Sequence, residues 1–175
     1  MKRRFEQLVD QHGRRLLQIA RLLLGRVDEA EDVVQDTLVK LWSHLRQLDE
    51  GSEIPWLVTC TRNACLDRLR GRSRARLALL RVADEHQISG SRGDFDCGPA
   101  ELLLREQRQR VLREGIASLP EPGRSLLILR DIQDLDVATV ARTLELSENQ
   151  VKVYTFRARR ALRHHLEEQS HEQVA

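Results

Sequence analysis

Apolar side chains in the first 70 residues recur every three or four positions, which is the spacing of one face of an α-helix. Residues 5–24 predict a first helix that Gly25 ends, and residues 28–47 predict a second helix with acidic residues in its first turn. Pro55 suits the first position of a third helix, which is predicted to run to about residue 70. The predicted inward face of that third helix carries Leu57, Val58, Cys60, Ala64, Cys65 and Leu69.

The same spacing returns at residue 101. Residues 101–119 and 123–132 each predict a helix, with Pro120 and Pro122 at the corner between them. Residues 135–152 predict two short helices around a tight turn, with Val140, Ala141 and Leu144 facing inward, and the second helix extends to about residue 168.

The segment between these two regions has a different composition. Residues 73–100 contain repeated Gly and Ser and predict a linker with one short helical piece at 76–83. The sequence therefore predicts an all-α fold of two small helical domains, residues 1–72 and 101–168, joined by this flexible linker and followed by a polar tail at 169–175.

Composition narrows the function classes. Charged residues make up 32% of the 175 residues, but the net charge is only +2, so local clusters rather than bulk charge must decide the partners. No run of 18 apolar residues and no signal-peptide core is present, which predicts a cytoplasmic protein without a membrane span.

The odd cysteine count (Cys60, Cys65 and Cys97) argues against a disulfide framework and leaves Cys97 as a candidate redox-sensitive thiol. No cofactor, metal or catalytic arrangement is recognisable.

The tight turn near the end carries the strongest functional signal. Ser147 is a natural N-cap, so Glu148, Asn149 and Gln150 lie at the start of a helix. In a helix-turn-helix these positions reach base edges in the major groove, where Asn or Gln can bind adenine through two hydrogen bonds. The cations further along this helix are Lys152, Arg157, Arg159, Arg160 and Arg163. They either contact phosphates or only interact favourably with the negative end of the helix dipole.

Two other polar faces stand out. Thr59, Asn63, Asp67 and Arg70 share one side of the third helix, followed by alternating arginines from Arg68 to Arg76. This pattern indicates either a phosphate-binding face or a solvated helix and linker. The second helix presents Asp32, Gln35 and Asp36, which favour a protein-docking face or plain solvated surface over a metal site.

Three blocks together resemble bacterial RNA polymerase sigma factors of the extracytoplasmic-function (ECF) group. Residues 28–42 resemble the region 2 motif that binds core polymerase, and residues 55–70 resemble the helix that opens and reads the minus-10 element. Residues 119–130, continuing through 160–162, resemble the region 4 helix-turn-helix. The resemblance implies a sigma factor that directs core RNA polymerase to specific promoters for transcription initiation.

The resemblance also implies residue roles. The implied core-polymerase contacts, on the β′ clamp helices, are Asp32, Gln35 and Asp36, and the implied minus-10 contacts are Thr59, Arg62, Asn63 and Arg70. The implied minus-35 contacts are Ser147, Glu148, Asn149, Gln150, Lys152, Arg157 and Arg160. Region 4 would also touch the β flap, an anti-sigma factor is a possible partner, and the free protein is expected to be monomeric.

The chain departs from the family pattern in three places. Glu145 stands at a turn position where Gly is usual, which predicts a left-handed non-glycine residue. The loop at 47–54 lacks the aromatic residue often found there, and Val153, Tyr154 and Phe156 replace more polar residues early in the last helix. The alternatives are a stand-alone helix-turn-helix regulator, which would dimerise on a palindromic site, and a small helical enzyme or metal protein.

Overall fold

A computed structural model of the chain describes the backbone of residues 1–80 and 99–172 and the side chains of residues 1–75, 107 and 109–169. The described regular structure is helical throughout, which confirms the predicted all-α class. The helices are α1 (Lys2–Leu24), α2 (Val27–His44), α3 (Glu53–Leu80), α4 (Pro99–Ser118), α5 (Gly123–Leu126, continued as a π-turn at Leu127–Ile132), α6 (Val137–Leu144) and α7 (Glu148–Glu172). They fall into two compact units, Met1–Ser91 (unit one) and Arg92–Ala175 (unit two).

Unit one is a bundle of α1, α2 and α3 around an apolar core. The inward stripe of α1 contains Leu16, Ile19, Ala20 and Leu23, and Gly25 ends that helix in the left-handed conformation at φ 69°, as predicted. The core residues of α2 and α3 are Ala30, Val33, Leu41, Leu57, Val58 and Cys65. Helical spacing predicts an inward stripe of Leu16, Ile19 and Leu23 on α1 and of Val34, Leu38, Leu41 and Leu45 on α2, and all of these are buried except the half-buried Leu38.

The inward face and the length of α3 differ from the prediction. Thr61 is fully buried and Leu66 is buried, whereas Cys60, Ala64 and Leu69 are only half-buried. The helix also begins two residues before Pro55 and continues to Leu80, where the sequence predicted an end near residue 70 and then a linker. One contact that supports the longer helix is a hydrogen bond from Arg72 to the Leu24 carbonyl at 3.2 Å, which spacing along α3 does not reveal.

The start of α3 is fixed by a largely buried ion pair. Arg4 of α1 donates to Glu53 Oε1 at 2.6 Å and to the Leu48 carbonyl at 3.0 Å. The second Glu53 oxygen accepts the Gly51 backbone N–H at 2.6 Å. Burial of the Glu53 carboxyl acts to raise its pKa, but the hydrogen bonds from Arg4 and from backbone N–H groups outweigh it and hold the pKa below its usual range.

This ion pair predicts acid sensitivity of unit one. Because the pKa of Glu53 is lower in the folded chain than in the unfolded chain, its stabilisation is complete above the ordinary Glu pKa and is lost as the pH falls through the lower folded value. Thermal melting followed by circular dichroism between pH 6 and pH 3 should show a loss of stability in the wild type. The loss should be smaller in Glu53→Gln, and parallel curves for the two proteins would contradict the prediction.

Unit two packs α5, its π-turn and α6 against α7. Residues 126–129 are four consecutive buried apolar positions, and the π-turn begins within them. The structure confirms the helical segment predicted at 123–132, but only Gly123–Leu126 is α-helical and Leu127–Ile132 forms the π-turn. The backbone N–H groups of Gln133 and Leu135 donate to the Ile128 and Leu129 carbonyls, each at 3.0 Å, and these bonds close the wider turn.

Two contacts position α7 in unit two, one with α4 and one with the π-turn. A Cβ placed on Gly115 of α4 would lie 2.7 Å from Leu162 Cδ1, so glycine allows the close approach of the two helices. Arg159 of α7 donates to both carboxylate oxygens of Asp131, at 2.6 and 2.8 Å. Over the described ranges, none of the helices has the length and apolar character needed to cross a membrane.

Candidate nucleic-acid interface

The helix-turn-helix is formed by α6 and α7, as the sequence predicted. Asp136 caps α6 by accepting the Thr139 backbone N–H at 2.8 Å, and Val140 and Ala141 are buried while Leu144 is half-buried. Glu145 has φ 55°, which confirms the expected left-handed residue at the turn. The turn therefore places the first residues of α7 at the surface.

A capping box fixes the N-terminus of α7. The Gln150 backbone N–H donates to Ser147 Oγ at 3.2 Å, and the Ser147 backbone N–H donates to Gln150 Oε1 at 2.8 Å. This arrangement confirms Ser147 as the N-cap. It also gives the Gln150 side chain a structural partner, whereas the sequence predicts only a base contact for it. The Ser-x-x-Gln spacing of a capping box was the available signal for this bond.

The outward face of α7 combines polar, apolar and basic side chains. All seven residues with implied minus-35 roles are exposed: Ser147, Glu148, Asn149, Gln150, Lys152, Arg157 and Arg160. Phe156 is 68% exposed and Val153 is 40% exposed between these cations, while Val151 is fully buried on the opposite side. Because Arg159 pairs with Asp131, it contributes less free positive charge than the run of cations suggested. The face can present donors, acceptors and apolar groups to base edges and cations to phosphates.

The polar side of α3 is assembled as the helical wheel predicted. Asn63 is exposed and accepts from Arg62 Nη1 at 3.1 Å, and Arg70 pairs with Asp67 at 2.9 Å. Thr59 is half-buried, and its hydroxyl donates to the Pro55 carbonyl at 2.7 Å. The structure thus brings the four residues with implied minus-10 roles onto one helix, with the Thr59 hydroxyl already engaged.

An aromatic pair adjoins this side of α3 and had no assigned role in the sequence analysis. Trp56 lies three residues before Thr59 and seven before Asn63, so helical spacing places it on the same side. The His44 ring lies 5.7 Å from the Trp56 ring, at an interplanar angle of 36°. The pair adds an aromatic surface beside the loop at 47–54, which has none of its own.

The alternating arginines after residue 67 divide between two sides of α3. Arg68 Nη1 lies 3.3 Å from Asp32 Oδ2 and Arg68 Nη2 lies 3.6 Å from Asp36 Oδ2, both on α2. Arg72 pairs with Glu29 at the start of α2. From Arg68 to Arg74 the run therefore does not form one phosphate-binding face, which was one of the two alternatives that the sequence left open, because residues two apart on a helix are rotated by about 200°. Arg76 lies outside the described side chains.

The outward side of α2 carries the implied docking residues. Asp32, Gln35 and Asp36 are exposed, with the Asp32 and Asp36 side chains 64% and 68% accessible, and Val39 continues the same side one turn further at 67%. Arg68 bridges the two carboxylates from α3 without covering them. This side can therefore offer two carboxylates and an amide to a basic partner surface.

In the part of the chain that the structure describes, the cysteines and the possible metal ligands do not form a reactive site. Burial raises the pKa of the Cys65 thiol to about 12, and burial likewise raises the pKa of Cys60, which keeps both thiols protonated at neutral pH. Among the described residues, no three His, Cys, Asp or Glu side chains are grouped to hold a metal ion. Cys97 lies outside the described residues.

Comparison with known proteins gives two family matches, one to each unit. The Sigma-70 region 2 family matches residues 8–75, and the Sigma-70, region 4 family matches residues 109–162. The chain is 28% identical to the ECF RNA polymerase sigma factor SigE of Mycolicibacterium smegmatis over 96% of its own length and 63% of that protein. It therefore spans just under two thirds of that relative.

Two solved structures share the fold and more than a quarter of the sequence. One is CnrH in complex with the cytosolic domain of CnrY, at a TM-score of 0.69 and 28% identity over 95% of this chain and 90% of CnrH. The other is the sigma factor RpoE in complex with the anti-sigma factor NepR from Bartonella quintana, at a TM-score of 0.74 and 26% identity over 93% and 96% of the two chains.

Proposed function

The chain belongs to the extracytoplasmic-function group of RNA polymerase sigma factors, the proteins that direct RNA polymerase to promoters, and we propose how its two units divide that work. Unit one binds core polymerase and reads the melted minus-10 element. Unit two reads the minus-35 element. Since core polymerase and promoter DNA are cytoplasmic, we propose that the protein acts in the cytoplasm.

In unit one, the outward side of α2 docks on the clamp helices of the polymerase β′ subunit. The exposure of Asp32, Gln35 and Asp36 supports this role, because charged groups at the rim of an interface direct association. The polar side of α3 then contacts the separated strand, with Asn63 on bases and Arg62 and Arg70 on flanking phosphates. Trp56 adds an aromatic surface on which an unstacked base can lie.

In unit two, α7 enters the minus-35 major groove. The observation that carries this proposal is the capped N-terminus of α7, with exposed Asn149 and Lys152 followed by exposed Val153 and Phe156. Apolar side chains in the major groove can contact the methyl group of thymine. Arg157 and Arg160 neutralise phosphates on either side of that contact.

The division between two units fits the modest charge of the chain. With a net charge of +2, the free protein is not expected to bind DNA strongly through bulk electrostatics. Two weak readers gain affinity once both are held on one polymerase, because the second contact becomes intramolecular. We propose that the free chain is a monomer and that unit two also touches the β flap.

An anti-sigma factor is proposed as a further partner. The support is the similarity to RpoE, whose solved structure contains the anti-sigma factor NepR, together with the similarity to CnrH in its complex with CnrY. Such a partner would have to cover the outward sides of α2 or α7 in order to prevent polymerase or promoter binding.

In vitro transcription tests the proposal directly. Core polymerase is incubated with a fragmented genomic library, with and without the full chain, and the start sites are sequenced. A set of new starts that share elements near positions −10 and −35 is expected. Unchanged starts would contradict the proposed function. The alternative of a stand-alone regulator is not favoured, because the region 2 match accounts for unit one. A specific gel shift of promoter DNA by the chain without polymerase would support that alternative.

A further inference from the structure

The two amide side chains at the start of α7 have different surroundings. Gln150 Oε1 accepts the Ser147 backbone N–H at 2.8 Å, and Ser147 Oγ accepts the Gln150 backbone N–H at 3.2 Å. The Asn149 side chain is exposed, and among the described residues it takes part in no hydrogen bond. One amide therefore stabilises the helix terminus while its neighbour is available to a ligand.

Asn149 and Gln150 also lie at different angular positions around α7. At about 100° per residue, Asn149, Val153, Phe156 and Arg160 form one outward line along α7. All four side chains are exposed. Gln150 is rotated by about 100° from Asn149, toward the half-buried Tyr154. The two observations are independent: the capping bonds engage Gln150, and the helical geometry places Asn149 at the start of the outward line.

Bidentate recognition of adenine needs both the oxygen and the nitrogen of a side-chain amide. The Gln150 oxygen is already engaged by the Ser147 backbone N–H, so Gln150 could supply both atoms only by sharing that oxygen or by turning away from the helix terminus and leaving the N–H unpaired. Asn149 can supply both without losing any contact.

We propose that Asn149 determines base preference at one adenine position of the minus-35 element, and that Gln150 is a positioning residue that holds the first turn of α7. This assignment rests on the proposed function of unit two. It separates two residues to which the sequence alone gave the same role.

Base preference is the first test. Transcription by the full chain with core polymerase is measured on promoters that carry each of the four base pairs at every minus-35 position. Asn149→Ala should reduce discrimination at one adenine position by about 5- to 150-fold. Gln150→Glu keeps an acceptor for the Ser147 N–H, removes both amide donors and adds a negative charge. If Gln150 reads no base, the loss of the donors should not change the pattern of preference, and the added charge should weaken all promoters together. Selective loss at one position in Gln150→Glu, or an unchanged pattern in Asn149→Ala, would overturn the assignment.

Amide hydrogen exchange of the same full-length variants is the second test. Gln150→Ala should accelerate exchange at the Ser147 N–H several-fold, and Gln150→Glu should restore it, because only the glutamate can rebuild the capping box. Asn149→Ala should leave this exchange unchanged. Equal exchange rates in all variants would refute the positioning role of Gln150.

The two tests separate this assignment from the proposed function. If the wild type directs no new starts, the proposed function fails and the base-reading role of Asn149 fails with it, while the exchange data still decide the role of Gln150. If the wild type directs new starts and the variants behave otherwise than expected, only the present assignment fails.

Discussion

Reversing both outward carboxylates of α2, in the double variant Asp32→Lys/Asp36→Lys, is expected to weaken binding to core polymerase about 100-fold. In the proposed complex, both side chains face cations on the polymerase, so reversal replaces attraction with repulsion. The fold should survive, because exposed ion pairs such as those with Arg68 contribute only about 0–1 kcal/mol. Binding is measured by fluorescence titration of labelled full-length protein with core enzyme.

Two controls make this result specific to the docking side. Glu6→Lys/Asp10→Lys makes the same change in net charge on exposed positions of α1 and should bind nearly as the wild type does. Arg68→Ala removes the ion pairs between α2 and α3 but leaves both carboxylates, so binding should persist. Equal losses for the α1 and α2 double variants would show that net charge, rather than this side of α2, controls association.

The largest loss of stability is expected from the inward side of the same helix. Leu41 is fully buried, and truncation in Leu41→Ala should lower the free energy of unfolding of unit one by about 2–5 kcal/mol through lost apolar burial and a residual cavity. The total free energy of unfolding of a small domain is only about 5–15 kcal/mol, so this loss would remove much of the stability of unit one. Urea denaturation of the full chain, followed by tryptophan fluorescence, measures this change because both tryptophans, Trp42 and Trp56, lie in unit one.

Val39→Ala is the matched control for this prediction. Val39 lies two residues before Leu41, but its side chain is 67% exposed, so its truncation should change the unfolding free energy by no more than about 0.5 kcal/mol. Similar losses for the two variants would mean that the burial pattern of α2 is wrong. A large effect confined to Leu41 would show that the Leu41 side of α2, and not the Val39 side, stabilises the fold.

Sequence reasoning succeeded where the determining interactions are local. The inward stripes of α1 and α2 follow from helical spacing, and Ser147 as an N-cap follows from the needs of free N–H groups at a helix terminus. The left-handed Glu145 was likewise expected from its turn position. Each of these features depends on residues of a single helix or turn.

Sequence reasoning failed where residues distant in the chain meet. Spacing along α3 could not show that Arg68 and Arg72 turn toward α2, so it could not decide between a phosphate-binding face and a solvated helix and linker. The need for glycine at position 115 also depends on a neighbouring helix. Thr61 was missed as a core residue because its polar side chain interrupts the apolar pattern.

The amino-acid sequence alone determined that this chain is helical, that it contains a capped helix-turn-helix, and which side chains lie outward near the start of α7. Those properties arise from hydrogen bonds and side-chain spacing within a few turns of helix. The tertiary structure decided which charges remain available to partners, because Arg68 and Arg159 are engaged by carboxylates 36 and 28 residues away. Such pairing depends on how helices approach one another, and no periodicity within a single helix encodes that approach.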